Sequence, residues 1–183
     1  MNYNELAKEI YLENKAKGFW DEPRSEQHCV MLIITELSEA VEAFRKNGLG
    51  NTSYLDIAWQ LKNFDAQLFK STIKDTIFDE LADACIRILD TVGGFNLNID
   101  IPTSDLWTVN SSYLSKDKNF IENIYWITLE LMSMEESGIE SSLARSFFCI
   151  NKLCEIYGID LNAFIKLKRM YNKTRPRLHG KIC

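Results

Sequence analysis

The chain has 183 residues, 46% hydrophobic and 26% charged, with only 3 Pro and 8 Gly, which fits one globular domain with a full core and excludes a disordered or fibrous chain. No apolar run approaches the roughly 18 to 20 residues that cross a bilayer, and the N-terminal Asn4, Glu5, Lys8, Glu9, Glu13 and Lys15 exclude the apolar centre of a signal peptide, so no membrane association and a cytoplasmic location are expected. The net charge of −5 is uneven: after Asp160 there are seven cations (Lys166, Lys168, Arg169, Lys173, Arg175, Arg177, Lys181) and no acidic residue, leaving residues 1–160 at −12, which suggests a local anion site and not a nucleic-acid surface.

Residues 4–17 read as a helix with Leu6, Ile10 and Tyr11 on one side and Gly18 at its end. The connection Gly18-Phe19-Trp20-Asp21-Glu22-Pro23-Arg24 leads to Ser25, a plausible cap for a helix running to about Lys46, stopped by Asn47-Gly48. On a wheel of that helix Val30, Ile33, Ile34, Leu37, Ala40, Val41 and Phe44 form the core stripe. Glu36 falls inside the apolar arc and Glu39 at its edge, where a carboxylate is costly unless a cation or a strong donor meets it. A divalent ion or a buried salt bridge would each serve.

Residues 54–70 continue as a helix through Ile57, Leu61, Phe64 and Leu68. The next, from about Asp75 to Val92, has Ile77, Leu81, Cys85, Ile88 and Val92 on its core side and a polar ridge of Thr76, Glu80, Asp83, Arg87 and Asp90, with Gly93-Gly94 as its end. Arg87, four residues beyond Asp83, reads either as an intrahelical ion pair or as a group orienting the carboxylates. Residues 95–118 look irregular. Helical spacing returns in Phe120, Ile124, Ile127, Leu131 and Met134 up to Gly138, again from Ser142 to Tyr157, and last from the cap Asp160 through Leu161, Phe164, Leu167 and Tyr171 to Arg175-Pro176. No strand signal is sustained, so the fold class is all-α. Five cysteines without a CxxC pair read as reduced, buried thiols, and the spacing of Cys149 and Cys154, with no His nearby, argues against zinc.

Glu36-Leu37-Ser38-Glu39 and Glu80-Leu81-Ala82-Asp83 each place two carboxylates at i, i+3 on one helix face. This order of ExxE, spacer and ExxD on apolar-backed helices resembles the MazG-like all-α nucleoside-triphosphate pyrophosphohydrolases, as do Gly18-Phe19-Trp20 and the tail from Tyr171 to Lys181. The 40-residue spacer between Glu39 and Glu80 is longer than in compact members and suggests an inserted element at about 54–70. The resemblance implies a single domain over residues 1–183, two antiparallel motif helices in a bundle, and a homodimer or higher homo-oligomer. It also implies Mg2+-dependent cleavage of a nucleoside triphosphate between the α and β phosphates, releasing the monophosphate and pyrophosphate.

An all-oxygen set suits Mg2+, with Mn2+ as an alternative ion. Glu36, Glu39, Glu80 and Asp83 are assigned to the metal, and Glu39, nearer the solvent edge, or Glu36 to the attacking water. Lys168, Asn172 and Arg175 form a donor row that could hold phosphate oxygens or, instead, oppose the helix dipole. Lys74 is a further phosphate candidate, and Trp20 is either a base-stacking or a core tryptophan. His28 and His179 are given no catalytic part. Competing readings are a relative acting on dUTP or phosphoribosyl-ATP and a non-catalytic helical module gripping nucleic acid through the basic tail.

Overall fold

The computed structural model describes residues 2–50, 54–100 and 113–180, and all regular structure among them is helical. The order is α1 (Tyr3–Ala16), α2 (Glu26–Asn47), α3 (Tyr54–Lys62), α4 (Ala66–Thr72), α5 (Ile77–Gly94), α6 (Phe120–Met132), α7 (Met134–Ser137), α8 (Ile139–Ile156) and α9 (Leu161–Thr174), closed by a 3-10 turn at Arg177–Gly180. No helix among the described residues is long and apolar enough to cross a membrane. Residues 101–112, Lys181 and Cys183 lie outside the described residues.

Helix α5 is the axis of the fold, packing against α1, α2, α8 and α9. Its sequence explains this: Ile77, Leu81, Cys85, Ile88 and Val92 are buried on one side, and Ala82, Ala84, Ile86 and Leu89 bury the others. The polar ridge is therefore no border to solvent, because Glu80 and Asp90 are buried with it. Helix α2 lies antiparallel to α5: Cys29 sits beside Thr91, Glu36 bonds to Arg87, and Glu39 neighbours Glu80. One continuous apolar core spans α1, α2, α5, α6, α8 and α9, with the free thiols Cys85, Cys149 and Cys154 in it, and the Cys29 thiol is buried as well.

Four helix limits differ from the periodicity reading. The expected 54–70 helix is two, because Asp65 turns to extended backbone and caps α4 through the N–H groups of Gln67 and Leu68. The helix from Phe120 breaks at Ser133, giving α6 and the single turn α7, and α8 starts at Ile139, ahead of Ser142. Gly93 and Gly94 do not end α5 but form its last turn. A Cβ on Gly93 would lie 2.5 Å from the Ala7 carbonyl oxygen, and one on Gly94 2.2 Å from the Trp20 ring. Gly94→Ala is thus expected to destabilise the fold by about 2 kcal/mol through forced displacement of Trp20, read as a lower urea midpoint with unchanged slope.

Candidate metal and phosphate site

The acidic motifs face each other across the α2–α5 seam. Thr76 caps α5 by accepting from the Asp79 N–H, so Glu80 and Asp83 project from its first two turns. From α2, Glu36 turns inward and is 5% exposed, whereas Glu39 is exposed. Single carboxylate oxygens of Glu36, Glu80 and Asp83 lie within 4.8 Å of one another, and with Glu39 these residues line a cavity of about 230 Å³. Lys74, Asn172 and Arg175 line the same cavity.

Two buried cations answer part of this negative charge. Arg87 Nε donates to Glu36 Oε1 at 3.0 Å, so the arginine pairs across the seam and, among the described residues, forms no ion pair with Asp83 of its own helix. Lys168 Nζ, from α9, lies 2.6 Å from Asp79 Oδ2 and 2.7 Å from Asp83 Oδ2. At 3% exposure, Lys168 lines the cavity as a buried partner of these two carboxylates. Glu80 is left: 4% exposed, it has no hydrogen bond or ion pair among the described residues.

The electrostatics follow from burial. Desolvation raises the Glu80 carboxyl to about 9; the Lys168 ammonium opposes this rise, and Asp79, Asp83 and Glu39 add to it. Burial also raises Glu36, with Asp83 adding to it and Arg87 opposing. Burial lifts Asp79 above its ordinary range even with Lys168 beside it. Lys168 itself is desolvated, yet Asp83 and Asp79 hold it protonated.

The other expected positions divide. Lys74 reaches the cavity but pairs with Asp75. Of the two readings of Trp20, its surroundings are those of a packed tryptophan: it is not among the cavity walls, its indole N–H donates to Asp90 Oδ1 at 2.9 Å, and its ring packs on Tyr11, Phe95 and Gly94. Phe19 forms part of the wall instead. Much of the basic tail is neutralised by α1 and the loop after it. Arg169 contacts Glu9 at 2.9 Å and Glu13 at 2.8 Å, Lys173 contacts Glu13 at 3.1 Å, and Arg177 pairs with Asp21.

His179, given no part from sequence, lines the cavity. The Leu178 N–H donates to the Lys17 carbonyl at 2.9 Å, folding the tail back, and Leu178 and His179 both take φ of 50°. Burial, then Arg175, lowers the imidazole to about 4, so it is neutral at pH 7. An adjacent His and Gly after a helix stop carry no periodicity, which is why spacing missed this contact. Asp79 was missed because an acidic residue in a first helical turn reads as an ordinary dipole complement.

The donor set fits a hard divalent cation. Ligand oxygens about 2.1 Å from one Mg2+ are at most about 4.2 Å apart, so carboxylates already within 4.8 Å need only small side-chain adjustments. Glu80 is also a buried carboxyl with no protein counter-charge of its own. No protein-family model, curated protein or solved structure matches this chain.

Proposed function

We propose that this chain is a Mg2+-dependent nucleoside-triphosphate pyrophosphohydrolase of the MazG-like kind, with Mn2+ as an alternative ion. The observation that carries the reading is Glu80, a buried carboxyl without a partner, facing Glu36 and Asp83 in a cavity that Arg175 and Asn172 also line. Such a site meets both ends of a metal-nucleotide complex, a cation and its phosphates.

Glu36, Glu39, Glu80 and Asp83 would hold the ion, which when bound supplies Lewis acidity toward phosphate oxygens and offsets their charge. Arg87 keeps Glu36 in one orientation, and Lys168 does so for Asp83. Arg175 offers a guanidinium to phosphate oxygens, held from behind by its bond to the His179 carbonyl at 3.1 Å and by the Tyr171 ring. Lys74 reaches the cavity as a second cation for the chain of phosphates. Glu39, on the solvent side, is placed to hold the attacking water and take its proton. In-line attack at the α phosphorus then yields the nucleoside monophosphate and pyrophosphate.

The reading includes a homo-oligomer, most simply a dimer. In its support, an open apolar groove between α2 and α6 is lined by Val41, Ile121, Ile124 and Tyr125. A nucleic-acid grip through the tail draws no support from Arg169, Lys173 and Arg177, which are already paired with carboxylates.

The test is a panel of ribo- and deoxyribonucleoside triphosphates, dUTP and phosphoribosyl-ATP with Mg2+, scored for pyrophosphate against orthophosphate. Pyrophosphate release from nucleoside triphosphates is the expected result. Orthophosphate alone would rule out α,β cleavage, and turnover of phosphoribosyl-ATP alone would move the chain to that substrate.

A further inference from the structure

Two overlapping sets of carboxylates meet at the start of α5. Glu36, Glu80 and Asp83 bring oxygens within 4.8 Å of one another, and so do Asp75, Asp79 and Glu80. Glu80 belongs to both sets. Two ligand sets joined by a shared carboxylate are the layout of a two-cation centre, whose ions stand about 3.5 to 4 Å apart.

One buried cation stands between the two sets. Lys168 Nζ touches a carboxylate of each, Asp79 Oδ2 at 2.6 Å and Asp83 Oδ2 at 2.7 Å. Its side chain is 4% exposed. Asp79 Oδ2 also accepts the Asp75 N–H at 3.1 Å, while Asp79 Oδ1 is buried with no donor. That oxygen is one that a small cation could reach if the ammonium were gone.

Resting on the metal-site reading above, we infer that Lys168 is a tethered cation filling the Asp75–Asp79–Glu80 set. The centre therefore takes one divalent ion, in the Glu36–Glu80–Asp83 set, and not two. The physical reason is charge. A second divalent ion among these carboxylates would stand against an ammonium that cannot leave, because α9 anchors it and two carboxylates, buried Asp79 and half-buried Asp83, hold its proton. With Arg87 on Glu36 and Lys168 on Asp79 and Asp83, one divalent ion brings the five carboxylates Glu36, Glu39, Asp79, Glu80 and Asp83 close to neutrality. A second would turn the net charge of this group positive while the Lys168 ammonium still held the oxygens of Asp79 and Asp83. Lys168 is thus a positioning residue that sets the metal count.

The test is titration of the full chain with Mn2+, counting bound ions from the loss of the free-ion electron paramagnetic resonance signal, with circular dichroism as the check on folding. One equivalent is expected for the wild-type protein and for Lys168→Arg, which keeps the charge. Two are expected for Lys168→Gln, and one again for Lys168→Gln combined with Asp79→Asn. A folded Lys168→Gln that still binds one ion, or a wild-type protein that binds two, overturns the inference and leaves the metal site standing. A wild-type protein that binds none overturns both. Should Lys168→Gln not fold, Asp79→Asn alone decides: it is expected to keep its one ion, and losing it would make Asp79 a ligand and overturn the assignment.

Discussion

Glu80→Gln is expected to lower turnover by about a thousand-fold and, in the metal-free protein, to raise stability at alkaline pH. Both effects come from one feature, a carboxyl buried without a counter-charge. Its folded value of about 9 stands above its ordinary 4.5. Between those values the folded protein holds one more proton than the unfolded chain, so stability falls as pH rises through the window. Glutamine has no proton to lose. Its advantage over glutamate is absent below pH 4.5, grows with pH, and reaches the order of a few kcal/mol above pH 9. Thermal unfolding in a chelator at pH 5, 7 and 9 measures this, and Mg2+ should stabilise the wild-type protein but not the variant. A fully active Glu80→Gln, or one whose stability tracks the wild type at every pH, would remove Glu80 from the site.

Arg87→Met is expected to destabilise the fold by about 3 kcal/mol at pH 8, the penalty of breaking a buried ion pair from one side. Arg87 and Glu36 have side chains only 17% and 6% exposed, and Arg87 also lies over the Phe19 ring. Without the guanidinium, Glu36, already raised by burial, would rise further above 4.5. A raised carboxyl costs stability as pH increases, so the deficit should shrink toward pH 5, where Glu36 takes a proton. Urea unfolding at the two pH values reads the difference. A deficit independent of pH would mean that Arg87 acts through packing and not through its charge.

The sequence carried much of this arrangement because helical spacing reports faces. Glu36 lay in an apolar arc, and it is buried toward α5. Glu39 lay at the edge of that arc, and it is exposed at the cavity. The all-α class follows the same logic, whereas the antiparallel course of α2 and α5 was an expectation from the family resemblance and not from spacing. Spacing also put Lys168 and Asn172 on one side of α9 with Arg175 just beyond it, and all three line the cavity.

Pairing across helices was not legible, since it depends on which elements meet. Nothing local to Lys168 tells that Asp79 and Asp83 take its charge, and nothing local to Arg87 favours Glu36 over Asp83. Trp20 looked equally suited to a base or to a core, and the bare Cα of Gly94 makes the space it occupies. The break between α3 and α4 escaped because Ile57, Leu61, Phe64 and Leu68 keep their period across it. The capping carboxylate of Asp65 was the local signal for that break.

The most direct measurement is a single reaction followed by phosphorus nuclear magnetic resonance, with one nucleoside triphosphate and the full chain, before and after Mg2+ is added. The account predicts an unchanged spectrum without the ion, then monophosphate and pyrophosphate signals growing together at equal rates. Triphosphate that stays intact with Mg2+ present, or orthophosphate as the first product, would contradict it.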